Sequence, residues 1–81
     1  MKRIVWTEPA KADVRRLDRE SAMRILAALH RFVESGAGDV KSLKGKEELR
    51  LRIGDYRLFF TCPDADTVEI RGVIHRKEAY R

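Results

Sequence analysis

The sequence predicts a single α+β domain in which a hairpin of two helices packs on one face of a small, mainly antiparallel sheet. Three observations support this fold. One long stretch carries apolar residues at helical spacing, three later stretches alternate as strands do, and the length allows only one core. The predicted element order is β-α-α-β-β-β, and the domain is expected to span residues 1–81.

The length and composition limit what the chain can be. At 81 residues it can enclose one small core, and folding should bury about 60% of the surface of the unfolded chain. A content of 43% hydrophobic and 38% charged residues is typical of a soluble globular domain. These values exclude large nucleotide-binding folds and favour a protein that a partner stabilises.

The charge favours polyanionic partners. Lys and Arg number 18 against 13 Asp and Glu, for a formal net charge of +5. One cysteine and two histidines do not provide the ligands of a zinc site, so we predict no metal and no cofactor. The apolar run at the N-terminus is too short for a signal peptide, and no run has transmembrane length. We therefore expect a cytoplasmic protein that does not enter a membrane.

The N-terminal part predicts a strand and two helices. Residues 4–6 form a short apolar run, and Thr7-Glu8-Pro9 has the order of a helix start with Thr7 as the N-cap. The first helix is predicted over about residues 8–17, with Asp18 as the N-cap of the next one. Apolar residues over residues 19–35 then repeat at a spacing of three and four, which predicts a long amphipathic helix.

The C-terminal part predicts an antiparallel sheet. Gly36 offers a left-handed end to the second helix, residues 36–42 are predicted as a loop and residues 43–46 as a basic turn. Three strands follow, over residues 49–53, 56–62 and 67–74, joined by Gly54-Asp55 and by a turn at residues 63–66. The tail begins at His75.

A two-residue turn at Gly54-Asp55 places Arg52 directly opposite Arg57 and separates the two faces of the sheet. On this alternation the core face receives Leu49, Leu51, Ile53, Tyr56, Leu58, Phe60, Cys62, Val68, Ile70 and Ile74. The outer face receives Arg50, Arg52, Arg57, Phe59, Thr61, Arg71 and Val73.

The outer face would therefore gather up to four guanidinium groups. The opposed pair Arg52 and Arg57 should cost a few tenths to about 1 kcal/mol, which nothing in folding explains. Such clusters suit phosphate oxygens, which a guanidinium meets with two parallel hydrogen bonds. The alternative is that these side chains extend into solvent and pair with acids such as Glu47, Glu48 or Glu69. Phe59 and Val73 would either stack on a base or be covered by the tail.

The tail is predicted to emerge at the same end of the sheet as Arg52 and Arg57. It would bring His75, Arg76 and Tyr80 to the arginines. RNA scission needs a base near the 2′-hydroxyl, cations around the phosphate and an acid for the leaving 5′-oxygen. These residues can meet that need without a metal.

Several motifs together resemble one known family. They are Trp6-Thr7-Glu8-Pro9-Ala10, Leu43-Lys44-Gly45, the hairpin at residues 49–58, and the ending His75-Arg76-Lys77-Glu78-Ala79-Tyr80. In these features the chain resembles the RelE/ParE toxins of bacterial type II toxin–antitoxin modules, over nearly its whole length. The resemblance implies the β-α-α-β-β-β fold. For the RelE-like branch it implies metal-independent cleavage of mRNA in the ribosomal A site, by attack of the 2′-hydroxyl.

The resemblance also implies roles for single residues. Arg57 would hold the scissile phosphate, Arg76 would contact it as well, and Tyr80 would orient or stack on a base. Arg50 falls where RelE-like toxins carry a lysine proposed as the general base, and an arginine is a poor base at neutral pH. The base would then be Lys44, Lys46 or His75, unless activity is weak. Further substrate contacts are expected from Lys44, Lys46, Arg52 and Arg71.

Two other functions remain open at this point. ParE-like relatives share the fold and poison DNA gyrase, and a third possibility is a non-catalytic module that binds RNA or the ribosome. The partners that the resemblance implies are a cognate antitoxin and mRNA in the ribosomal A site. Operator DNA would be bound only through the complex with the antitoxin.

Overall fold

A computed structural model of the chain describes residues 2–42 and 47–76. The elements are β1 (Arg3–Trp6), α1 (Glu8–Arg15), α2 (Arg19–Ser35), β2 (Asp39–Ser42), β3 (Leu49–Ile53), β4 (Tyr56–Asp64) and β5 (Thr67–His75). Two helices pack on a five-stranded sheet, which confirms the predicted fold class. The strand β2 is an addition, because residues 36–42 were predicted as a loop.

The sheet is mainly antiparallel, as predicted. Its strand order is β1-β5-β4-β3-β2, so β1 and β2 form the two edges. Among the described strands, β1 pairs with β5 in parallel, and the pairs β2–β3, β3–β4 and β4–β5 are antiparallel. The hairpin of β3 and β4 therefore lies at the centre of the sheet, with the unpredicted β2 beside it.

Both predicted helix N-caps are present. The Thr7 hydroxyl accepts the Ala10 N–H at 3.4 Å, and the Asp18 carboxylate accepts the Ser21 N–H at 3.0 Å. Helix α1 ends at Arg15, two residues earlier than predicted. The chain turns there because the N–H groups of the next two residues bond three residues back, to carbonyls inside α1, before Asp18 starts α2.

Strand β2 was missed because it contains a single apolar residue, Val40, which is too little alternation to indicate a strand. Pairing with β3 makes it a strand, with Val40 opposite Leu51. The preceding Gly38 passes so close to the core that an added Cβ would lie 2.8 Å from Cδ1 of Leu51. Because glycine has no Cβ, the chain can pass close to Leu51 on its way from the end of α2 to the edge of the sheet.

One core lies between the helices and one face of the sheet. Its buried residues are Ala10, Ile25, Leu29, Leu51, Ile53, Leu58, Phe60, Val68, Ile70 and Val73. Since residues of both helices share this cluster with the strands, both helices cover the same face of the sheet. Cys62 is exposed rather than part of the core face, because the β4–β5 register shifts between Thr61 and Asp64.

A bulge in β5 reverses the predicted sides of its last residues. Phe60 pairs with Ile70 but Phe59 pairs with Gly72, so Arg71 is the extra residue. Val73 is consequently buried at 4% exposure, opposite Leu58, and not on the outer face as predicted.

The same shift moves the residue after Val73. Ile74 lies opposite Arg57 rather than in the core. Helix α1 contacts the chain at this point, since the Asp13 carboxylate accepts the N–H of Val73 at 2.9 Å. Val73 and Ile74 thus lie on the opposite faces from those predicted, because the prediction counted the alternation without the extra residue.

No helix in the described part of the chain is long and apolar enough to cross a membrane.

Candidate functional site

Charged side chains line a small cleft of about 240 Å³ on the sheet face opposite the helices. We call it the arginine cleft, and it is formed by Asp39, Lys41, Arg50, Arg52 and Arg57. Three neighbouring strands, β2, β3 and β4, contribute to it. The cleft is the candidate functional site.

Strand register brings these side chains together. Arg52 lies opposite Arg57 in the β3–β4 pair, as the two-residue turn predicted. On the other side of β3, Asp39 lies opposite Arg52 and Lys41 lies opposite Arg50. Residues two apart on a strand point to the same face, so the five side chains share one surface.

The arginine cleft is strongly positive. Of the side chains that the structure describes, four cations and one carboxylate line it, which gives a net charge of 4 − 1 = +3 from these groups. Arg50 and Arg57 are half-buried, whereas Arg52 and Lys41 are exposed. Planar guanidinium groups bind phosphate oxygens with two parallel hydrogen bonds. The cleft is thus suited to a phosphate group on an extended chain.

Arg71 does not line the arginine cleft. It sits at the bulge of β5 and forms an ion pair with Glu69, with 2.6 Å between Nη1 and Oε1. For this residue the structure shows the alternative in which an acid of the chain pairs with the guanidinium. The cleft therefore contains three of the four arginines that alternation placed on the outer face.

His75 lies on the opposite side of the sheet from Arg57. It is opposite Tyr56 on β4, and the two rings meet edge to face with their centroids 5.0 Å apart. The Tyr56 hydroxyl donates to Ser21 of α2 at 3.4 Å, which shows that this pair faces the helices. The expectation that His75 joins the arginines is wrong, because the bulge at Arg71 shifts the alternation by one residue.

His75 instead lines a separate cavity of about 270 Å³ together with Asp13, Arg16 and Tyr56. Arg16 and Asp13 form an ion pair there. This cavity lies between α1 and the sheet, whereas the arginine cleft lies on the other face of the sheet.

Arg76 is exposed at the end of β5, and its N–H donates to the carbonyl of Asp55 at 2.5 Å. This bond ties the end of β5 to the turn between Arg52 and Arg57. Three other predicted site residues, Lys44, Lys46 and Tyr80, lie outside the described residues.

Sequence reasoning missed Asp39 and Lys41. Both lie on β2, which was predicted as loop, so they had no assigned side of the sheet. The only signal was the order polar, apolar, polar over Asp39, Val40 and Lys41, and three residues are too few to indicate a strand. Their place in the arginine cleft comes from pairing with β3.

Within residues 2–42 and 47–76, no group of three or more His, Cys, Asp or Glu side chains is placed to hold a metal ion.

Comparisons with known proteins agree with this fold. The sequence model of the family described as "ParE toxin of type II toxin-antitoxin system, parDE" matches residues 4–80. A search of curated protein sequences finds no match.

Several solved structures resemble the chain. One belongs to the RelB–RelE antitoxin–toxin complex of Methanococcus jannaschii, with 25% identity, a TM-score of 0.76 and 94% of each chain covered. Another belongs to the toxin–antitoxin complex RelBE2 of Mycobacterium tuberculosis, with 28% identity, a TM-score of 0.63, and 93% of this chain and 98% of that chain covered. YafQ of E. coli, with 8% identity, a TM-score of 0.76 and 100% of both chains covered, shares the fold alone.

Proposed function

Because this chain belongs to the family of ParE toxins of type II toxin–antitoxin systems, we propose that it is a toxin that stops translation by cleaving mRNA in the ribosomal A site without a metal ion. The observation that carries this proposal is the arginine cleft. Arg50, Arg52 and Arg57 line one cleft on the sheet face opposite the helices. Like charges that lie directly opposite each other oppose folding, whereas guanidinium groups bind a phosphate well.

The reaction is attack of a ribose 2′-hydroxyl on the adjacent phosphate. The bond from the 2′-oxygen to phosphorus forms, the bond to the 5′-oxygen breaks, and negative charge grows on the non-bridging oxygens. Fixed cations stabilise that charge more in the transition state than in the substrate. Arg57 and Arg50, held half-buried, suit this role, and the exposed Arg52 would hold a neighbouring phosphate.

The tail completes the proposal. Arg76 lies next to the turn that joins Arg52 to Arg57, because its N–H bonds to Asp55. From this position its side chain would contact the scissile phosphate, and Tyr80, Lys44 and Lys46 would contact the RNA as the family resemblance implies. His75 is not part of this site in our proposal, since it faces the helices.

A cognate antitoxin is the second partner that we propose, in the cytoplasm. Both the Methanococcus jannaschii and the Mycobacterium tuberculosis structures are complexes of toxin with antitoxin. A chain with a net charge of +5 suits an acidic segment that neutralises the arginine cleft and adds buried area. Operator DNA would be bound only through that complex. The toxin in the complex should melt at a higher temperature than the toxin alone, and equal melting temperatures would contradict this.

Gyrase inhibition is the second candidate function. Two observations favour it: the matching family is that of ParE toxins, and His75 does not reach the arginine cleft. This candidate predicts inhibited supercoiling and a DNA-damage response while mRNA stays intact. A non-catalytic module that binds RNA or the ribosome predicts no toxicity at all.

Mapping of mRNA 5′ ends after induction separates these functions. Wild type should produce breaks within codons and stop protein synthesis. The double variant Arg57→Ala/Arg76→Ala should do neither while its circular dichroism stays native. The matched control Lys11→Ala/Arg15→Ala removes two exposed cations from α1, on the other side of the sheet, and should cleave as wild type does. Intact mRNA in cells whose growth stops would contradict the proposal, as would toxicity that the double variant retains.

A further inference from the structure

Two side chains of β2, Asp39 and Lys41, line the arginine cleft. Neither the sequence pattern nor the family resemblance assigns them a role. We propose that they form the acid–base pair of RNA cleavage. Asp39 accepts the proton of the attacking 2′-hydroxyl, and Lys41 donates a proton to the leaving 5′-oxygen. This inference rests on the proposed function, and it names the groups that move protons in the same site.

The other described lining residues are poor candidates for proton transfer. Among the described residues, Arg50, Arg52 and Arg57 are the other side chains that line the cleft, and a guanidinium does not give up its proton at neutral pH. A carboxylate and an ammonium group are a proton acceptor and a proton donor in the forms they ordinarily take at neutral pH. Of the lining residues that the structure describes, Asp39 and Lys41 are thus the two that can exchange protons with RNA.

The spacing of the pair suits the reaction. Asp39 and Lys41 are two residues apart on β2, so their Cα atoms are about 7 Å apart and both side chains point to the same face. Attack in line with the breaking bond places the entering 2′-oxygen and the leaving 5′-oxygen on opposite sides of phosphorus. Two groups at this separation can each reach one of these oxygens from the same strand.

The positions of the arginines indicate where a bound phosphate would lie. Asp39 lies opposite Arg52, and Lys41 lies opposite Arg50, in the β2–β3 pair. Arg57 lies beyond Arg52 on β4. A phosphate bound by these guanidinium groups would lie next to β2, with its bridging oxygens within reach of the pair.

The proton balance closes within the cleft. As the bond from the 2′-oxygen to phosphorus forms, the hydroxyl proton passes to Asp39, which becomes a neutral carboxylic acid. As the bond to the 5′-oxygen breaks, Lys41 gives that oxygen a proton and becomes a neutral amine. The products are a 2′,3′-cyclic phosphate and a 5′-hydroxyl, and exchange with water restores both residues.

The variants are chosen to separate proton transfer from charge. Asp39→Asn removes the base and one negative charge, so cleavage should fall at least about 100-fold while affinity for RNA stays the same or rises. Lys41→Arg keeps the positive charge but does not release a proton, so RNA affinity should stay near wild type while cleavage falls to a similar extent. Ser42→Ala on the same strand is the control and should change neither.

The experiment is single-turnover cleavage of an mRNA on purified ribosomes, with affinity for the same RNA measured alongside. Asp39→Asn and Lys41→Arg should each lose cleavage while they still bind the RNA. RNA affinity that stays near or above the wild-type value shows that a variant has kept the fold of the cleft, so a loss of cleavage then reports the chemical step.

The outcomes distinguish the two proposals. If wild type cleaves and both Asp39→Asn and Lys41→Arg cleave at wild-type rates, the acid–base pair is overturned and the proposed function stands. If Lys41→Arg is active but Lys41→Met is not, Lys41 acts through charge alone and its role as proton donor is overturned. If wild type leaves the ribosome-bound mRNA intact, the proposed function falls, and this inference falls with it.

Discussion

Arg52 and Arg57 lie directly opposite each other in the β3–β4 pair, on the face of the sheet away from the helices. Two like charges in this arrangement oppose folding, so the pair is best understood through what it binds. Arg50 and Lys41 extend the same positive surface toward the edge strand β2. The following predictions test this arrangement and the fold that produces it.

Removing one member of the opposed pair should stabilise the protein. In Arg52→Thr the free energy of unfolding should rise by a few tenths to about 1 kcal/mol, because the repulsion with Arg57 is lost and threonine suits a strand. Urea unfolding measures this change. Arg3→Thr makes the same substitution on β1, where the partner across the strand is Thr67, and should give no gain. A loss of stability in Arg52→Thr would contradict the repulsion.

The bulge at Arg71 predicts which residue at the end of β5 matters for the core. Val73→Ala should cost about 1.5–3 kcal/mol, because Val73 is buried against the helices. Ile74→Ala should cost less, although it removes a larger side chain, because Ile74 lies on the other face. Urea unfolding of both variants gives the comparison, and the reverse order would show that the strand alternates without a bulge.

Two carboxylates should make the stability of the protein fall at acidic pH. The hydroxyl and the N–H of Ser21 hold the pKa of Asp18 below its usual value, and the N–H of Asp66 and the hydroxyl of Thr67 do the same for the pKa of Asp64. A group whose pKa is lowered by folding stabilises the protein above its unfolded pKa, and this contribution is lost as the pH falls through the folded pKa.

Asp18→Asn and Asp64→Asn test this dependence, since each keeps an acceptor oxygen but does not ionise. The stability of each variant should fall less steeply than that of wild type between neutral and acidic pH. Thermal unfolding over a pH series measures the slopes. Slopes that match wild type in both variants would show that these carboxylates do not carry the dependence.

The close approach at Gly38 is needed to place β2. Gly38→Ala should destabilise the protein by about 1–3 kcal/mol, because the added Cβ would lie 2.8 Å from Leu51. It should also weaken RNA cleavage, since Asp39 and Lys41 follow directly. Gly54→Ala is the control, because the φ of Gly54 is positive (+58°), as is that of Gly38 (+155°), but no atom lies within 4 Å of the Cβ added at Gly54. Equal losses in the two variants would mean that backbone strain alone is responsible.

The sequence predicted the fold well where local signals agree with tertiary packing. Thr7 and Asp18 cap the helices as predicted, and the two-residue turn set Arg52 opposite Arg57. These features depend on a few neighbouring residues, so they can be recognised without knowledge of the rest of the chain. The family resemblance predicted the toxin superfamily, and the family model confirms that prediction.

The features that sequence could not predict depend on pairing with another strand. Alternation cannot show an extra residue such as Arg71, and one such residue moved His75 to the helix side and Val73 into the core. Strand β2 exists through its pairing with β3, which is why Asp39 and Lys41 were not predicted at the site.

The central claim is that the arginine cleft binds RNA phosphates, and the salt dependence of binding tests it most directly. The affinity for a short single-stranded RNA should be measured from low to high salt for wild type, for Arg50→Gln/Arg52→Gln/Arg57→Gln, and for the control Arg15→Gln/Arg19→Gln/Arg31→Gln on the helices. We expect the cleft variant to bind weakly with a log–log slope smaller by about 2, since each phosphate contact contributes about 0.7 for single strands. Absence of binding by wild type, or equal slopes for the cleft variant and the helix control, would contradict the claim.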